Sequence, residues 1–358
     1  MDELDKVEKF RRISDMSELA NFFNALSSWN LGLTQHKMWR LTFLDNANYK
    51  TYSINKKDGT ERIIRAPQSE LREVQRIVLG ILDEMYKPKK AAHGFTRNKS
   101  IVTNAKQHVR MNLVLNFDIL DFFPSITVGR IVAVFKYYFK FNDFLSGTLA
   151  SLLTYQGQLP QGAPTSPFLS NVVMSRFDSR IRKISEKYKF RFSRYADDIT
   201  FSTSKKRFDS KIFVEEENEL GSLIKEALSD EGMVLNDRKT RLMHRYDRQD
   251  VTGLIVNTKV NVNRRYIRNV RAAVYNFSHG EYEDSVRKLF ANHVPRHGKY
   301  GADPQYILFG MISYIRSVRG DDELTYSLAK QYNDILYFTK KFDLTEWDWE
   351  KVGSYRAY

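Results

Sequence analysis

Residues 193–201, SRYADDITF, set Asp197 and Asp198 side by side in a stretch where Tyr195, Ile199 and Phe201 favour a strand. Residues 111–120, MNLVLNFDIL, alternate in the same way. Leu113, Leu115, Phe117 and Ile119 share one face; Val114, Asn116 and Asp118 share the other. The first face suits packing on helices, and the second delivers Asp118 to the opposite side. A lone Asp-Asp pair is most often a solvated hairpin turn. Neighbouring strands would instead bring three carboxylates together. At about 4 Å and an effective dielectric near ~20, each pair repels by roughly 4 kcal/mol. Such a cluster raises its own pKa values or recruits a cation. No His or Cys stands nearby in sequence, so the donors are oxygen only, which favours Mg²⁺ or Mn²⁺ over zinc. Two such ions activate an attacking hydroxyl and stabilise the leaving oxygen of an in-line displacement.

The charge balance points to the substrate. Lys and Arg number 57 against 43 Asp and Glu, a net charge of +14, and there are 24 Phe, 20 Tyr and 4 Trp. Cations neutralise phosphates and aromatic rings stack on bases, so a nucleic acid is the expected partner. An anionic membrane surface attracts positive charge too. With 358 residues the chain has room for two or three domains. It contains no cysteine, which removes disulfides, thiolate zinc sites and Cys nucleophiles together. The first residues, MDELDKVEKFRR, lack the apolar core of a signal peptide. No apolar run reaches the roughly 18 residues that span a bilayer. A cytoplasmic protein with no membrane partner is expected.

Leu19, Phe22, Phe23 and Leu26 lie at the spacing of one helix face. Residues 52–67 read as a hairpin around Asp58-Gly59. Leu71, Val74, Val78 and Ile81 predict a helix over 69–86. Residues 87–110 carry seven Lys or Arg and no Asp or Glu, a one-sided charge that suits phosphate contact. A Pro/Gly loop runs into a helix over 158–181, and a further helix is predicted over 213–235, ending near Gly232. Beyond residue 258 the pattern is mostly helical, and residues 258–300 hold nine Lys/Arg against three Asp/Glu. The chemistry to this point is phosphoryl transfer on a nucleic acid, in either the synthetic or the hydrolytic direction.

Four motifs resemble those of reverse transcriptases, in that family's order. YADD at 195–198 looks like the active-site hairpin, and FDILDFFPSI at 117–126 like the first catalytic motif. LPQGAPTSP at 159–167 is similar to the nucleotide-pocket motif, and VLNDRKTRLM at 234–243 to the motif after the hairpin. NAKQH at 104–108 and VTGLIVN at 251–257 resemble signatures of the retron subgroup. The resemblance covers residues from about 50 to 257.

It implies an α+β right-hand polymerase with fingers, an antiparallel-sheet palm and a helical thumb. Fingers and palm would occupy 1–257, and an RNA-binding thumb 258–358. It also implies that Asp118 and Asp197 hold two Mg²⁺ ions, with Mn²⁺ as a substitute, supported by Asp198. Arg62, with Lys56 or Lys57, would grip the dNTP triphosphate. Gln161 and Gly162 would line the nucleotide pocket, and Phe123 would face the sugar's 2′ position. Lys239 would assist pyrophosphate departure. Gly94 and Phe95 would contact the templating base pair, Asn104 and His108 the retron's own RNA. Arg264, Arg265, Arg268 and Arg271 would track a phosphate backbone.

The implied activity is RNA-directed DNA polymerisation. Part of a structured noncoding RNA would be copied into a branched DNA product that stays bound, in phage defence with a separate effector protein. The alternatives are a group II intron-like or abortive-infection reverse transcriptase, and a catalytically idle RNA-binding scaffold. Intact Asp118, Asp197 and Asp198 argue against the scaffold. A metal-dependent nuclease would have no use for the nucleotide-pocket motif.

Overall fold

The computed structural model describes residues 3–55, 59, 61–279 and 304–339. The chain divides into two compact units, one of residues 1–107 and 111–244, the other of residues 108–110 and 245–358. Residues 245–257 therefore cluster with the C-terminal helices.

The first unit opens with α1 (Glu3–Arg12), α2 (Met16–Leu26), α3 (Gln35–Phe43) and α4 (Asp45–Asn48). Asp15 starts α2 by accepting from the amides of Ser17 and Glu18, which satisfies two of the helix's orphan donors. Leu19 and Phe23 are buried, and Phe22 and Leu26 pack half-buried against the same core. The hairpin of β1 (Tyr49–Asn55) and β2 (Glu61–Pro67) pairs from Tyr49↔Pro67 to Asn55↔Glu61. It was expected over 52–67, and Lys56, Lys57 and Asp58 at its turn lie outside the described residues. Next comes α5 (Ser69–Met85), which buries Leu71, Val74, Val78 and Ile81 as their spacing predicts. Ser100 and Thr103 form a capping box on α6 (Ile101–Lys106).

A four-stranded sheet carries the site. It is built from β3 (Leu113–Asp118), β4 (Arg191–Tyr195), β5 (Asp198–Thr203) and β8 (Arg241–His244), in the order β4-β5-β3-β8. Every neighbour pair is antiparallel. Between β3 and β4 run α7 (Val128–Ala133), α8 (Asp143–Leu153), α9 (Ser166–Val173) and α10 (Ser175–Tyr188). Leu113, Leu115 and Phe117 are buried, and Phe117 meets Phe201 edge-on with centroids 5.0 Å apart. On the other face Thr200 Oγ1 donates to Asn116 Oδ1 at 3.0 Å, directly across the strands. The architecture is α+β with an antiparallel sheet, as expected.

The single helix expected over 213–235 is a correction. The segment forms the short pair β6 (Phe213–Val214) and β7 (Glu219–Leu220), and only α11 (Ser222–Ser229) is helical. Phe213 and Leu220 are opposite one another and buried, which fixes the turn. Gly221 then lies so close to the Lys211 backbone that an added Cβ would sit 2.1 Å from its carbonyl carbon. Gly221 itself is extended, with φ −72° and ψ 166°, so it caps α11 instead of continuing a helix through it.

The second unit holds the pair β9 (Asp250–Val251) and β10 (Leu254–Ile255), then α12 (Arg264–Ser278), α13 (Pro304–Arg319) and α14 (Glu323–Thr339). Val270, Val274, Leu308, Ile312, Ile315 and Leu328 make its helical core. No helix among the described residues is long and apolar enough to cross a membrane.

Candidate active site

Asp118 ends β3 opposite Asp198, the first residue of β5. The amide of Ile119 donates to the Asp197 carbonyl at 3.2 Å, which ties the strand end to the hairpin tip. That tip is Ala196 and Asp197 alone. Ala196 has φ +59°, a left-handed conformation that costs a residue with a Cβ. Asp197's carboxyl is held above its ordinary range, first by burial and then by the nearby Asp118 charge. Lys239 and Arg62 pull in the opposite direction without cancelling the rise.

Lys239 lies on a single 3₁₀ turn, Asp237–Lys239, and its Nζ is 3.0 Å from Asp118 Oδ1. The amide of Asn236 donates to the Asp118 carbonyl at 2.9 Å and fixes this turn beside β3. Two carboxylates and an ammonium therefore share one edge of the sheet. Among the described residues, no three His, Cys, Asp or Glu side chains form a group that could hold a metal ion. The protein's own contribution centres on Asp118 and Asp197, with Asp198 opposite in register.

Sequence reasoning overlooked the element beneath the tip. Arg194 and Asp178 are both fully buried. Arg194 donates to Asp178 through Nε at 2.8 Å and Nη2 at 2.7 Å, a bidentate pair. Its Nη1 donates to the Ala196 carbonyl at 3.1 Å, at the strained residue of the tip. Burial opposes the guanidinium's charge, but Asp178 outweighs it, and the pKa is raised. A signal was present: Asp178 interrupts an apolar helix face formed by Phe177 and Ile181.

The other predicted positions surround this edge or lie apart from it. Gly94 is pressed against the hairpin, where an added Cβ would be 2.5 Å from the Ala196 nitrogen. Its carbonyl accepts from Asn171 Nδ2 at 2.9 Å. Phe95 is exposed, and its ring lies 6.2 Å from that of half-buried Phe123. Gly162 has φ +125°, and a Cβ there would be 2.8 Å from the Arg65 carbonyl. Arg65's amide donates to the Gln161 carbonyl at 2.7 Å. The loop holding Gln161 and Gly162 is thus docked on β2, the strand that carries exposed Arg62. Lys56 lies outside the described residues.

Asn104 is buried in α6, and neither end of its amide has a hydrogen-bond partner. His108 is also buried. In the second unit Arg264, Arg265, Arg268 and Arg271 are exposed on α12. Three of them, Arg264, Arg268 and Arg271, line a groove of about 630 Å³ between α12 and α14, floored by Leu324 and Leu328.

Comparison with known proteins supplies the family. The family model described as reverse transcriptase (RNA-dependent DNA polymerase) matches residues 54–268. The retron Mx162 reverse transcriptase of Myxococcus xanthus is 34% identical over 284 residues, covering 70% of this chain and 58% of that protein. The retron Ec86 reverse transcriptase of Escherichia coli is 32% identical over 281 residues, covering 73% of this chain and 85% of that one. Among solved structures, telomerase from Candida albicans with a fragment of telomeric RNA aligns at TM-score 0.42 and 12% identity, over 87% of this chain and 66% of that one. A match across more than half of the chain, joined to retron relatives at this identity, means that the chain belongs to the reverse transcriptases, RNA-dependent DNA polymerases, and among them to the retron group.

Proposed function

We propose that this chain copies part of a structured noncoding RNA into a short branched DNA, at a site where Asp118 and Asp197 hold divalent metal. One observation carries the reading: the two aspartates meet at the β3–β5 edge, with Asp197 pushed toward its neutral form by burial and by Asp118. A site with surplus negative charge and only oxygen donors fits a hard cation. The family generally uses divalent metal ions. Two carboxylates without a third ligand suit Mg²⁺, which keeps water and substrate phosphates in its remaining positions, and Mn²⁺ would substitute. Bound ions would supply activation of the attacking hydroxyl and neutralisation of the triphosphate.

The chain's own groups have distinct tasks in this reading. Asp198 supports the metal ligands from across the strand pair. Arg62, whose charge is felt at Asp197, binds the triphosphate of the incoming dNTP, and Lys56 assists. Lys239 leaves Asp118 to meet the departing pyrophosphate. Gln161 and Gly162 shape the nucleotide pocket, and Phe123, flanked by Phe95, limits space at the sugar's 2′ position. Gly94 lets the template-side loop approach the hairpin. Asn104 and His108, both buried, lie in the basic segment 87–110 and would recognise the retron's own RNA. Fingers and palm span 1–257, and the thumb spans 258–358, with Arg264, Arg265, Arg268 and Arg271 on duplex phosphates. The reaction would take place in the cytoplasm, with a separate effector protein acting in phage defence.

The nucleic acid that co-purifies with the protein tests this function. The expected molecule is a DNA whose 5′ end joins an internal guanosine of the RNA through a 2′,5′ linkage. Debranching enzyme should release the DNA and protease should not. Linear DNA, or DNA attached to protein, would overturn the branched-product reading while leaving polymerisation intact.

A further inference from the structure

Helix α3 presents a face that neither the core nor the catalytic edge uses. Met38, Leu41 and Thr42 anchor the helix inward. His36, Trp39, Arg40 and Phe43 face outward at the spacing of one helix face. Trp39 is 49% exposed and Phe43 is 50% exposed, so each ring leaves a broad apolar plane in water. Their centroids are 5.6 Å apart at 51°, which places the rings in sequence along the helix. Beside Trp39 lies a cavity of about 420 Å³ lined by Met16, Thr34, Gln35, His36 and Trp39.

The charge on α3 itself has one sign. Residues 19–44 contain no Asp or Glu, while α3 carries His36, Lys37 and Arg40. On the N-terminal side the nearest acidic side chains are already engaged, and on the C-terminal side Asp45 follows α3 two residues after Phe43. Asp15 accepts from the amides of Ser17 and Glu18, and Glu18 accepts from the amide and hydroxyl of Ser14. Exposed aromatic planes interleaved with cations match a polyanion with unstacked bases better than they match another protein surface.

We propose that the outer face of α3 is a binding platform for single-stranded nucleic acid. Bases stack on Trp39 and Phe43, and Lys37 and Arg40 pair with the flanking phosphates. The inference is independent of the metal site, because stacking needs neither dNTP nor metal.

The test uses the full chain without metal or dNTP. A 5-iodouracil-substituted oligouridylate and its deoxy counterpart serve as probes for affinity, salt dependence and photocrosslinking. Crosslinks should map to the peptide containing Trp39. Trp39→Ala should weaken binding by about fivefold or more, the lower end of a lost base–aromatic stack. Trp39→Tyr should retain most of the affinity, and Trp39→Leu should not. Lys37→Gln with Arg40→Gln should flatten the salt dependence even if a Trp39 variant fails to fold. A preference for the ribose probe identifies RNA as the strand, whereas equal binding identifies any single strand. Unchanged affinity in folded Trp39→Ala with no α3 crosslink overturns the proposal. So does full recovery in Trp39→Leu, which would mark the face as an apolar protein-docking surface.

Discussion

Asp197→Asn is expected to abolish metal-dependent dNTP incorporation and, in the same protein, to raise the melting temperature of the metal-free chain at neutral pH. The two effects share one cause. Burial and the Asp118 charge raise the Asp197 pKa in the folded state. The resulting cost is absent below the ordinary carboxylate value of about 4 and grows as pH rises through it. Asparagine removes that cost and also removes the metal ligand. Incorporation should fall by roughly 10³-fold or more, equivalent to about 4 kcal/mol of transition-state stabilisation. The gain in melting temperature should appear at pH 7 and vanish near pH 3. Normal incorporation would return Asp197 to the role of a solvated turn. A lowered melting temperature at pH 7 would mean that Lys239 and Arg62 more than balance the repulsion.

The second large effect is expected at the buried pair beneath the hairpin. Arg194→Met leaves the Asp178 carboxylate buried without its partner, which costs about 3–5 kcal/mol. The double variant Arg194→Met with Asp178→Leu should recover much of that stability, because an apolar pair of similar volume avoids burying two charges. It should not recover activity. The Ala196 carbonyl still lacks the Nη1 donor that lies 3.1 Å away in the native protein. The loss should fall on kcat, with KM for dNTP little changed, since Asp197 is displaced while the Gln161–Gly162 loop on β2 is intact. A double variant with full kcat would show that the pair serves stability alone.

What the sequence disclosed, and what it concealed, follows from the range of the interactions. Asp118 could be placed because β3 alternates with period two in sequence; Leu113, Leu115 and Phe117 are buried as that predicts, and Val114 on the other face is buried as well. Its meeting with Asp197 depends on strand order, which local pattern does not contain; the ordered family motifs supplied it. The segment 213–235 was misread because its acidic run suits a helix, while the Phe213–Leu220 contact and the tight approach of Gly221 to Lys211 are tertiary. Arg194 was overlooked for a related reason. An Arg in a strand reads as exposed until its partner is known, and Asp178 lies sixteen residues earlier on another element. The α3 face was missed because exposed and buried aromatics look alike in a sequence; only burial separates Trp39 from Phe23.

The most direct measurement of the central claim is extension on a defined RNA template by the purified chain. It requires dNTPs, Mg²⁺ and a side-by-side comparison with Asp118→Asn. The product should resist RNase, be degraded by DNase, and have a sequence complementary to the template. The product should be absent without divalent metal and absent with Asp118→Asn. Equal product from Asp118→Asn, or no DNA from the native chain with either Mg²⁺ or Mn²⁺, would contradict that claim.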